Sequence, residues 1–252
     1  QTLFDAYSVG ELLGSGAFGQ VRACSSLDAA DKRRYAVKIV DMDGEPFRIG
    51  GKGLSAEREA AILLAAKHPN IVELVDIFKQ DRWLLLIMER IPGGEIFGAI
   101  GDLSSIVTER HISIVGTQLM KALQHLQHRG VVHRDVKGEN ILCMKRPLTN
   151  ENCHIKLVDF GLATREDKQP CQCLLQTACR DDRRDELFVG TAYYLAPEVW
   201  ASGAGFKADV WAAGVVLYLA LYGTYPFRGS EGALETLICS QESQPSFLPA
   251  VD

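Results

Sequence analysis

The chain contains His133-Arg134-Asp135-Val136-Lys137-Gly138-Glu139-Asn140, and nineteen residues after Asn140 it continues with Asp159-Phe160-Gly161. A carboxylate that precedes a lysine and an asparagine suits phosphoryl transfer, in which protein groups mainly position the reactants and stabilise charge. Asp135 is predicted to accept or orient the proton of an attacking hydroxyl, and Lys137 to neutralise charge on the moving phosphoryl group. Asn140 and Asp159 are predicted to hold magnesium. Either segment alone could be a surface turn, but both together in this order predict one catalytic pocket.

A glycine-rich turn lies upstream, in Leu13-Gly14-Ser15-Gly16-Ala17-Phe18-Gly19-Gln20-Val21. Because glycine has no Cβ, backbone N–H groups in such a turn can approach phosphate oxygens closely. A Walker-type loop would need Lys and Ser or Thr directly after the last glycine, but Gln20 and Val21 stand there. A dinucleotide-binding fold would need a helix after the glycines and an acidic residue about 20 positions on, which Asp41 could supply. The glycines alone leave this second alternative open.

A single charge interrupts the apolar run Tyr35-Ala36-Val37-Lys38-Ile39-Val40, which predicts a β-strand. Because side chains alternate across a strand, Ala36, Lys38 and Val40 share one face. The small Ala36 leaves room for a flat adenine ring beside the ammonium group. A buried lysine without a partner would be costly, so a carboxylate is expected close to it.

A helix predicted over residues 55–67, with Ser55 as its cap, supplies that carboxylate. Glu59, Leu63 and Ala66 fall on one side of it at spacings of four and three, so Glu59 is the predicted partner of Lys38. Glu57 lies about 200 degrees round the helix from Glu59 and is predicted to be solvated. The alternative is that Lys38 and Glu59 are two unrelated surface charges.

With these motifs in this order, the chain resembles the eukaryotic protein kinase family over residues 7–227, nearly its whole length. The resemblance implies an α+β, two-lobed fold that fills residues 1–252. Residues 1–89 would form a small lobe, with an antiparallel sheet and one helix, and residues 90–252 a larger, mainly helical lobe whose last helices are missing. ATP would bind with Mg²⁺ in the cleft between them. The dinucleotide alternative leaves Lys38 and residues 133–161 unexplained.

The resemblance also assigns the lining of the nucleotide site. The glycines of the turn would meet the phosphates, and four apolar residues would enclose the adenine: Leu13, Val21, Ala36 and Leu142. Met88 would lie at the back of the pocket and limit access beyond it. Residues 89–91, with Glu89 and Ile91 at the ends, would form the hinge whose backbone contacts the purine. Glu95 and Glu139 would contact either the ribose or arginines of a peptide substrate. His133, Phe160 and Leu63 would stack as a spine between the lobes.

The segment Gly190-Thr191-Ala192-Tyr193-Tyr194-Leu195-Ala196-Pro197-Glu198 is similar to the end of the family's activation segment. In the family, the threonine at the position of Thr191 bridges the catalytic aspartate and lysine, which implies serine/threonine specificity. Lys137 implies the same specificity. Gly93-Gly94-Glu95 and the activation-segment motif look most like the calcium/calmodulin-dependent group, above all the calcium-dependent protein kinases. A calcium-sensing module outside residues 1–252 is therefore a possible partner.

Composition excludes several other classes of protein. An apolar content of 47% and a charged content of 23% are ordinary for a globular domain. A net charge of -5 argues against binding to a phosphate backbone and favours basic peptide substrates, so no nucleic-acid partner is expected. No membrane association is expected, because the longest apolar run, at residues 210–223, is shorter than the roughly 20 residues of a membrane span. Seven cysteines, an odd number, predict reduced thiols and a location in the cytoplasm or nucleus.

Two further helices are predicted in the larger lobe. Apolar residues recur at spacings of three and four over residues 108–129, and Gly130 ends that element. Residues 210–223 are apolar nearly all round and predict a buried helix. The family resemblance implies that Asp209, just before this helix, accepts hydrogen bonds from backbone N–H groups of the catalytic loop, residues 133–140.

Several features depart from a minimal member of the family. Residues 41–53 and the 34 residues between Gly161 and Ala196 form long connections. Arg134 is expected to bind an anion, and the acidic cluster around Asp185 is expected to replace, in part, a phosphothreonine on the second connection; a solvated charge run is the alternative. Cys171, Cys173 and Cys179 in this connection lack a fourth ligand for structural zinc.

Two more departures bear on folding. Gly138 stands where the family usually has proline. The extra backbone freedom of glycine is expected to cost about 0.4 to 1 kcal/mol of loop order. The chain also ends at Asp252, before the arginine that would pair with Glu198. Loss of one partner of a buried ion pair costs roughly 3 to 5 kcal/mol. These 252 residues alone are therefore expected to fold poorly, and the natural protein is expected to continue.

The predicted function is that of an ATP- and Mg²⁺-dependent protein serine/threonine kinase, a transferase that phosphorylates protein substrates. A pseudokinase or scaffold that binds nucleotide or partners without turnover is the alternative from another class. The presence of Lys38, Glu59, Asp135, Asn140 and Asp159 argues against that alternative.

Overall fold

The protein was analysed as a computed structural model, which describes residues 2–16, 19–43, 56–101, 108–146, 153–166, 192–201, 205–229, 231–240, 244–245 and 247. Strands dominate the first part of the chain. They form one antiparallel five-stranded sheet with the order β1-β2-β3-β5-β4. The strands are β1 (Tyr7–Gly16), β2 (Gly19–Ser26), β3 (Arg34–Asp41), β4 (Leu74–Gln80) and β5 (Trp83–Glu89).

Strand β3 lies at the centre of the sheet, between β2 and β5. Tyr35 and Val37 pack on one face in a small cluster with Leu3. Ala36, Lys38 and Val40 are buried on the other face, as the period-two pattern predicted. A central strand buries both faces, which is why the run is apolar at nearly every position.

The dinucleotide-binding alternative is wrong. The residues after the glycine turn form strand β2 rather than the helix that such a fold requires. The side chain of Asp41, the acidic residue of that alternative, accepts hydrogen bonds from the guanidinium group of Arg82. Asp41 therefore links the end of β3 to the turn before β5.

Helix α1 (Ala56–Ala65) crosses the sheet and presents Glu59 to it. Glu59, Leu63 and Ala66 are buried, as predicted, whereas the predicted cap Ser55 lies outside the described residues. The helix ends two residues before the predicted end, because Pro69 disfavours helical backbone just before it. The prediction for Glu57 was incomplete: its carboxylate pairs with Lys79 of β4 at 2.9 Å instead of being only solvated.

Helices dominate the chain after Glu89. They are α2 (Ile96–Gly101), α3 (Glu109–His128), α4 (Pro197–Ala201), α5 (Phe206–Tyr222) and α6 (Glu231–Cys239). Two short antiparallel pairs lie among them: β6 (Val131–Val132) with β9 (Thr164–Arg165), and β7 (Ile141–Cys143) with β8 (Ile155–Leu157). The expected two-lobed α+β fold is therefore confirmed. Strand β5 ends at Glu89, where the sequence prediction divides the lobes, and this division stays a prediction.

Helix α3 confirms its prediction to within one residue at each end. Thr108 and His111 form a reciprocal capping pair, and Gly130 has a left-handed φ of 65° just past the helix. Buried residues of α3 pack against α5 and β8 in the main core. The chain leaves α3 directly into β6 and the catalytic loop, so the packing of α3 fixes where that loop begins.

Helix α5 begins four residues earlier than the apolar run predicted, and its burial was overestimated. Ala212, Ala213 and Val216 are buried, but Val210 is 50% exposed and Leu221 is 48% exposed. The described elements pack against one side of α5 and leave these two residues on the other side. In the described part of the chain, no helix is both long enough and apolar enough to span a membrane.

Candidate active site

An ion triad joins α1, β3 and the segment after β8. The Nζ of Lys38 lies 2.7 Å and 2.9 Å from the two carboxylate oxygens of Glu59, and 2.8 Å from Oδ1 of Asp159. Burial lowers the pKa of Lys38, but the carboxylates of Glu59 and Asp159 outweigh burial, so the net shift is upward. Burial raises the pKa of Asp159, but Lys38 outweighs it and the net shift is downward. Lys38 and Asp159 therefore hold opposite charges within the cleft.

The catalytic loop brings Asp135, Lys137 and Asn140 together. The Nζ of Lys137 lies 2.9 Å from Oδ2 of Asp135. The Nδ2 group of Asn140 donates to the backbone carbonyl oxygen and to Oδ2 of Asp135, both at 2.8 Å. Because the amide nitrogen is used in this way, the Oδ1 of Asn140 is the atom that can ligate a cation. The Oδ1 of Asp135 is the carboxylate oxygen that these two contacts leave for a substrate hydroxyl.

Asp209 of α5 fixes the beginning of this loop through hydrogen bonds to its backbone. Its two carboxylate oxygens accept the backbone N–H groups of His133, at 2.7 Å, and Arg134, at 2.9 Å. The prediction for Asp209 is confirmed. Arg134 has φ 68° and Asp159 has φ 58°, in the left-handed region that non-glycine residues rarely adopt. Backbone strain of this kind persists where surrounding contacts enforce it, and Asp209 supplies two such contacts at Arg134 and its neighbour.

The His133–Phe160 contact of the predicted spine is present, and a stack of these rings with Leu63 stays a prediction. The rings of His133 and Phe160 meet edge to face with centroids 4.7 Å apart, and both residues are fully buried. Leu63 of α1 belongs to the same buried cluster as Phe160. The Nε2 of His133 lies 3.1 Å from the carbonyl oxygen of Val158, the residue before Asp159. This packing couples α1 to both halves of the site.

A cleft of about 920 Å³ lies between the sheet and the helical lobe. All fourteen residues predicted to bind the nucleotide line it: Leu13, Gly14, Gly16, Gly19, Val21, Ala36, Lys38, Met88, Glu89, Ile91, Glu95, Glu139, Leu142 and Asp159. So do four of the predicted catalytic residues: Glu59, Asp135, Lys137 and Asn140. The remaining one, Thr191, lies outside the described residues.

Sequence reasoning missed some of the lining. Val72 and Val158 add apolar surface to the cleft. Val158 could have been found from its position directly before Asp159. Arg146 also lines the cleft and donates to the backbone carbonyl oxygens of Gly93 and Glu95. No sequence signal pointed to Arg146, because its contacts arise only where the chain after β7 meets the start of α2.

The glycine turn leaves open space at the mouth of the cleft. Among the described residues, which exclude 17 and 18, a Cβ added at Gly14 or Gly16 would meet no atom within 4 Å. Gly19 differs, because its φ is 122° and a Cβ there would lie 2.2 Å from the carbonyl oxygen of Ile39. Gly19 is therefore required by the backbone, whereas Gly14 and Gly16 keep the space where phosphate oxygens can approach N–H groups.

Backbone hydrogen bonds and one buried lysine fix the position of the hinge, residues 89–91, after β5. The N–H groups of Glu89 and Arg90 donate to the carbonyl oxygens of Glu73 and Arg34, at 3.0 Å and 3.2 Å. The Glu89 carboxylate pairs with Lys156 of β8, which is only 8% exposed. Glu89 thus lines the cleft, and its side chain ties the hinge to the larger lobe.

Three predictions concern residues near or beyond the edge of the described chain. Asp185 and the three clustered cysteines lie outside it, so the proposed stand-in for a phosphate stays a prediction. Burial and the nearby guanidinium of Arg58 lower the pKa of Arg134, in accord with a site that attracts an anion. Glu198 lies within the described residues and takes part in an interaction there, and the expected poor folding of these 252 residues stays a prediction.

The donor groups of the cleft fit Mg²⁺ bound together with a nucleotide. Within the described ranges, no three His, Cys, Asp or Glu side chains form a metal-binding group. Mg²⁺ usually takes one or two carboxylates and completes its shell with phosphate oxygens and water. The Oδ1 of Asn140 and the carboxylate of Asp159 are oxygen donors of this kind.

Comparison with known proteins agrees with this geometry. A family model described as "Protein kinase domain" matches residues 7–247. The serine/threonine-protein kinase DCLK2 of Rattus norvegicus is 38% identical over 237 residues, which are 94% of this chain and 28% of that protein. DCLK1 of Rattus norvegicus is also 38% identical, over 94% of this chain and 49% of its own length. DCLK3 of Homo sapiens is 34% identical over 89% of this chain and 31% of its length.

The chain therefore spans about a quarter to a half of these relatives. The family match extends from β1 past α6, so it includes both sides of the cleft. On this evidence the chain belongs to the protein kinase family.

Proposed function

We propose that the protein transfers the γ-phosphoryl group of ATP to serine and threonine hydroxyl groups of protein substrates. The observation that carries the proposal is the convergence of Lys38, Asp135 and Asp159 on one cleft. Its relatives are named serine/threonine-protein kinases, which supports the same activity. The glycine turn on one side of the cleft and the oxygen donors on the other fit a triphosphate and its magnesium.

Five charged residues of the cleft, together with Asn140, would have roles in this reaction. ATP supplies the phosphoryl group, and Mg²⁺ neutralises part of its negative charge. Lys38, held by Glu59, would bind the phosphates next to the transferred group, and Asn140 and Asp159 would ligate Mg²⁺. Asp135 would orient the attacking hydroxyl and take its proton as the new O–P bond forms and the bond to the departing ADP breaks. Lys137, 2.9 Å from Asp135, would balance charge on the phosphoryl group.

Protein substrates with basic residues near the target hydroxyl are proposed for the same site. Glu95, at the start of α2, and Glu139, next to Asn140, are both exposed and both line the cleft. Two exposed carboxylates beside the catalytic loop favour arginine or lysine in a bound peptide. The net charge of -5 favours association with such peptides as well.

Membership of the calcium/calmodulin-dependent group, and with it a calcium-sensing module elsewhere in the protein, is part of the proposal. It depends on the sequence motifs at Gly93-Gly94-Glu95 and at residues 190–198. The scaffold alternative has less support, because the described residues include the full set of charged groups that transfer requires.

The function is tested by incubating the purified protein with ATP labelled on its γ-phosphate, Mg²⁺ and a serine peptide that carries two arginines. We expect label on serine, and we expect chelation of Mg²⁺ by EDTA to abolish the incorporation because the metal neutralises the phosphates. A peptide with alanine at the target position controls for other acceptors, and one with glutamates in place of the arginines tests the role of Glu95 and Glu139. Saturable ATP binding without transfer to any serine or threonine peptide would favour the scaffold instead.

A further inference from the structure

Gly138 of the catalytic loop is in unusually close contact with an aromatic ring. It is buried in the short turn Gly138–Asn140, and a Cβ added to it would lie 2.0 Å and 2.1 Å from two ring carbons of Phe97. Its φ lies outside the left-handed region, so the backbone there suits any residue. Gly138 is therefore required for space. The Phe97 ring fills the volume that a side chain would take, whereas the expected loosening of the loop stays a prediction.

Phe97 reaches this position from α2. The helix packs against both the Gly138–Asn140 turn and β7, and Phe97 itself packs against the main core. The ring thus lies against the backbone of Gly138, between Lys137 and Glu139. The two groups that hold the Asp135 carboxylate, Lys137 and Asn140, flank this contact on either side.

The contact also leaves position 138 no room for the proline that is usual in the family. A proline carries a Cβ, which would meet the ring of Phe97 at the same short distances as the Cβ added to Gly138.

We propose that Phe97 is a positioning residue that holds the Lys137–Gly138 peptide unit, and that Gly138 is the residue that admits this contact. The ring of Phe97 fixes the unit by van der Waals contact. Because Lys137 Nζ lies 2.9 Å from Asp135, a displacement of this unit moves the charge that faces the transferred group. This inference rests on the proposed phosphoryl transfer and adds to it the residues that set the geometry of the loop.

The test compares two variants and one control by kcat, KM for ATP and for peptide, and thermal melting. Gly138→Ala is expected to lower kcat by about 10- to 100-fold, since displacement of a catalytic group by about 1 Å has effects of this size. KM for ATP should change by less than about threefold, because the nucleotide contacts lie elsewhere. Adding Phe97→Ala to Gly138→Ala removes the clash and should restore kcat to within about fivefold of the parent.

Gly214→Ala is the matched control, because a Cβ at that exposed position of α5 would meet no atom of the described residues within 4 Å and should leave kcat unchanged. If Gly138→Ala fails to fold, the double variant with Phe97→Ala decides the matter by its recovery of folding and kcat.

Two outcomes separate this inference from the proposed function. A parent protein that transfers phosphate, together with a Gly138→Ala variant of unchanged kcat or a double variant no better than the single one, would overturn the inference alone. A parent protein that binds ATP but transfers nothing would overturn the proposed function, and with it the premise of the inference.

Discussion

Replacing Asp135 with asparagine is expected to lower kcat by about 100- to 10,000-fold, the usual contribution of a positioned acid or base. Asp135 is 8% exposed and is fixed by Lys137 and Asn140, so its carboxylate has one defined direction in the cleft. An amide of the same size keeps most of the packing but can neither take a proton nor balance the charge of Lys137. ATP affinity should change by less than about threefold, because the nucleotide contacts of the sheet are retained.

Steady-state kinetics and ATP binding on the parent and the Asp135→Asn variant measure this directly. Asp81→Asn is a suitable control, because Asp81 lies in the turn before β5 with φ 51°, a conformation that asparagine also tolerates. Asp81→Asn should leave kcat unchanged. Equal rates of transfer for the parent and Asp135→Asn would rule out Asp135 as the residue that orients the hydroxyl, and would favour a scaffold.

Replacing Lys38 with methionine is expected to lower kcat/KM by at least about 100-fold and to destabilise the fold by roughly 3 to 5 kcal/mol. Lys38 is 6% exposed, and its removal leaves Glu59 and Asp159 as buried carboxylates without their shared cation. The loss of activity follows from a missing phosphate contact, whereas the loss of stability follows from uncompensated charge. Urea denaturation and kinetics on the same preparation measure both quantities.

The control is Lys79→Met, since the pair of Lys79 with Glu57 also joins the sheet to α1, at strand β4, but is more exposed. Breaking that exposed pair should cost less than about 1 kcal/mol and leave the rate unchanged. Combining Lys38→Met with Glu59→Met should recover part of the stability but none of the activity, because one uncompensated carboxylate is removed. A Lys38→Met variant as active and as stable as the parent would contradict the assignment of the ion triad.

The residues that sequence reasoning predicted well share one property: their environment repeats with the period of a strand or helix. Alternation placed Lys38 on a buried face, and helical spacing then selected Glu59 over Glu57. The resemblance to kinases supplied what periodicity does not, namely that residues 121 positions apart, Lys38 and Asp159, meet. For this reason the sequence predicted residues on both sides of the cleft.

The features that sequence reasoning missed depend on where whole elements pack. Sequence reasoning treated Gly138 only as a source of backbone freedom. Its contact with Phe97 was missed, because that ring belongs to a helix about 40 residues earlier in the chain. The half-exposed Val210 and Leu221 of α5 were predicted to be buried, because an apolar sequence does not reveal which side of a helix its neighbours cover. Arg146 and the Glu57–Lys79 pair likewise connect segments whose proximity is a property of the fold.

A crystal structure of the protein with Mg²⁺ and a non-hydrolysable ATP analogue would be decisive. We expect the Nζ of Lys38 to contact the phosphates next to the γ-phosphate, and Asp159 and Asn140 to ligate a Mg²⁺ ion that also binds phosphate oxygens. The carboxylate of Asp135 should face the γ-phosphate from the side opposite the leaving oxygen. A nucleotide bound outside the cleft, or one whose phosphates point away from Lys38, Asp135 and Asp159, would contradict the assignment of these residues to a single catalytic site.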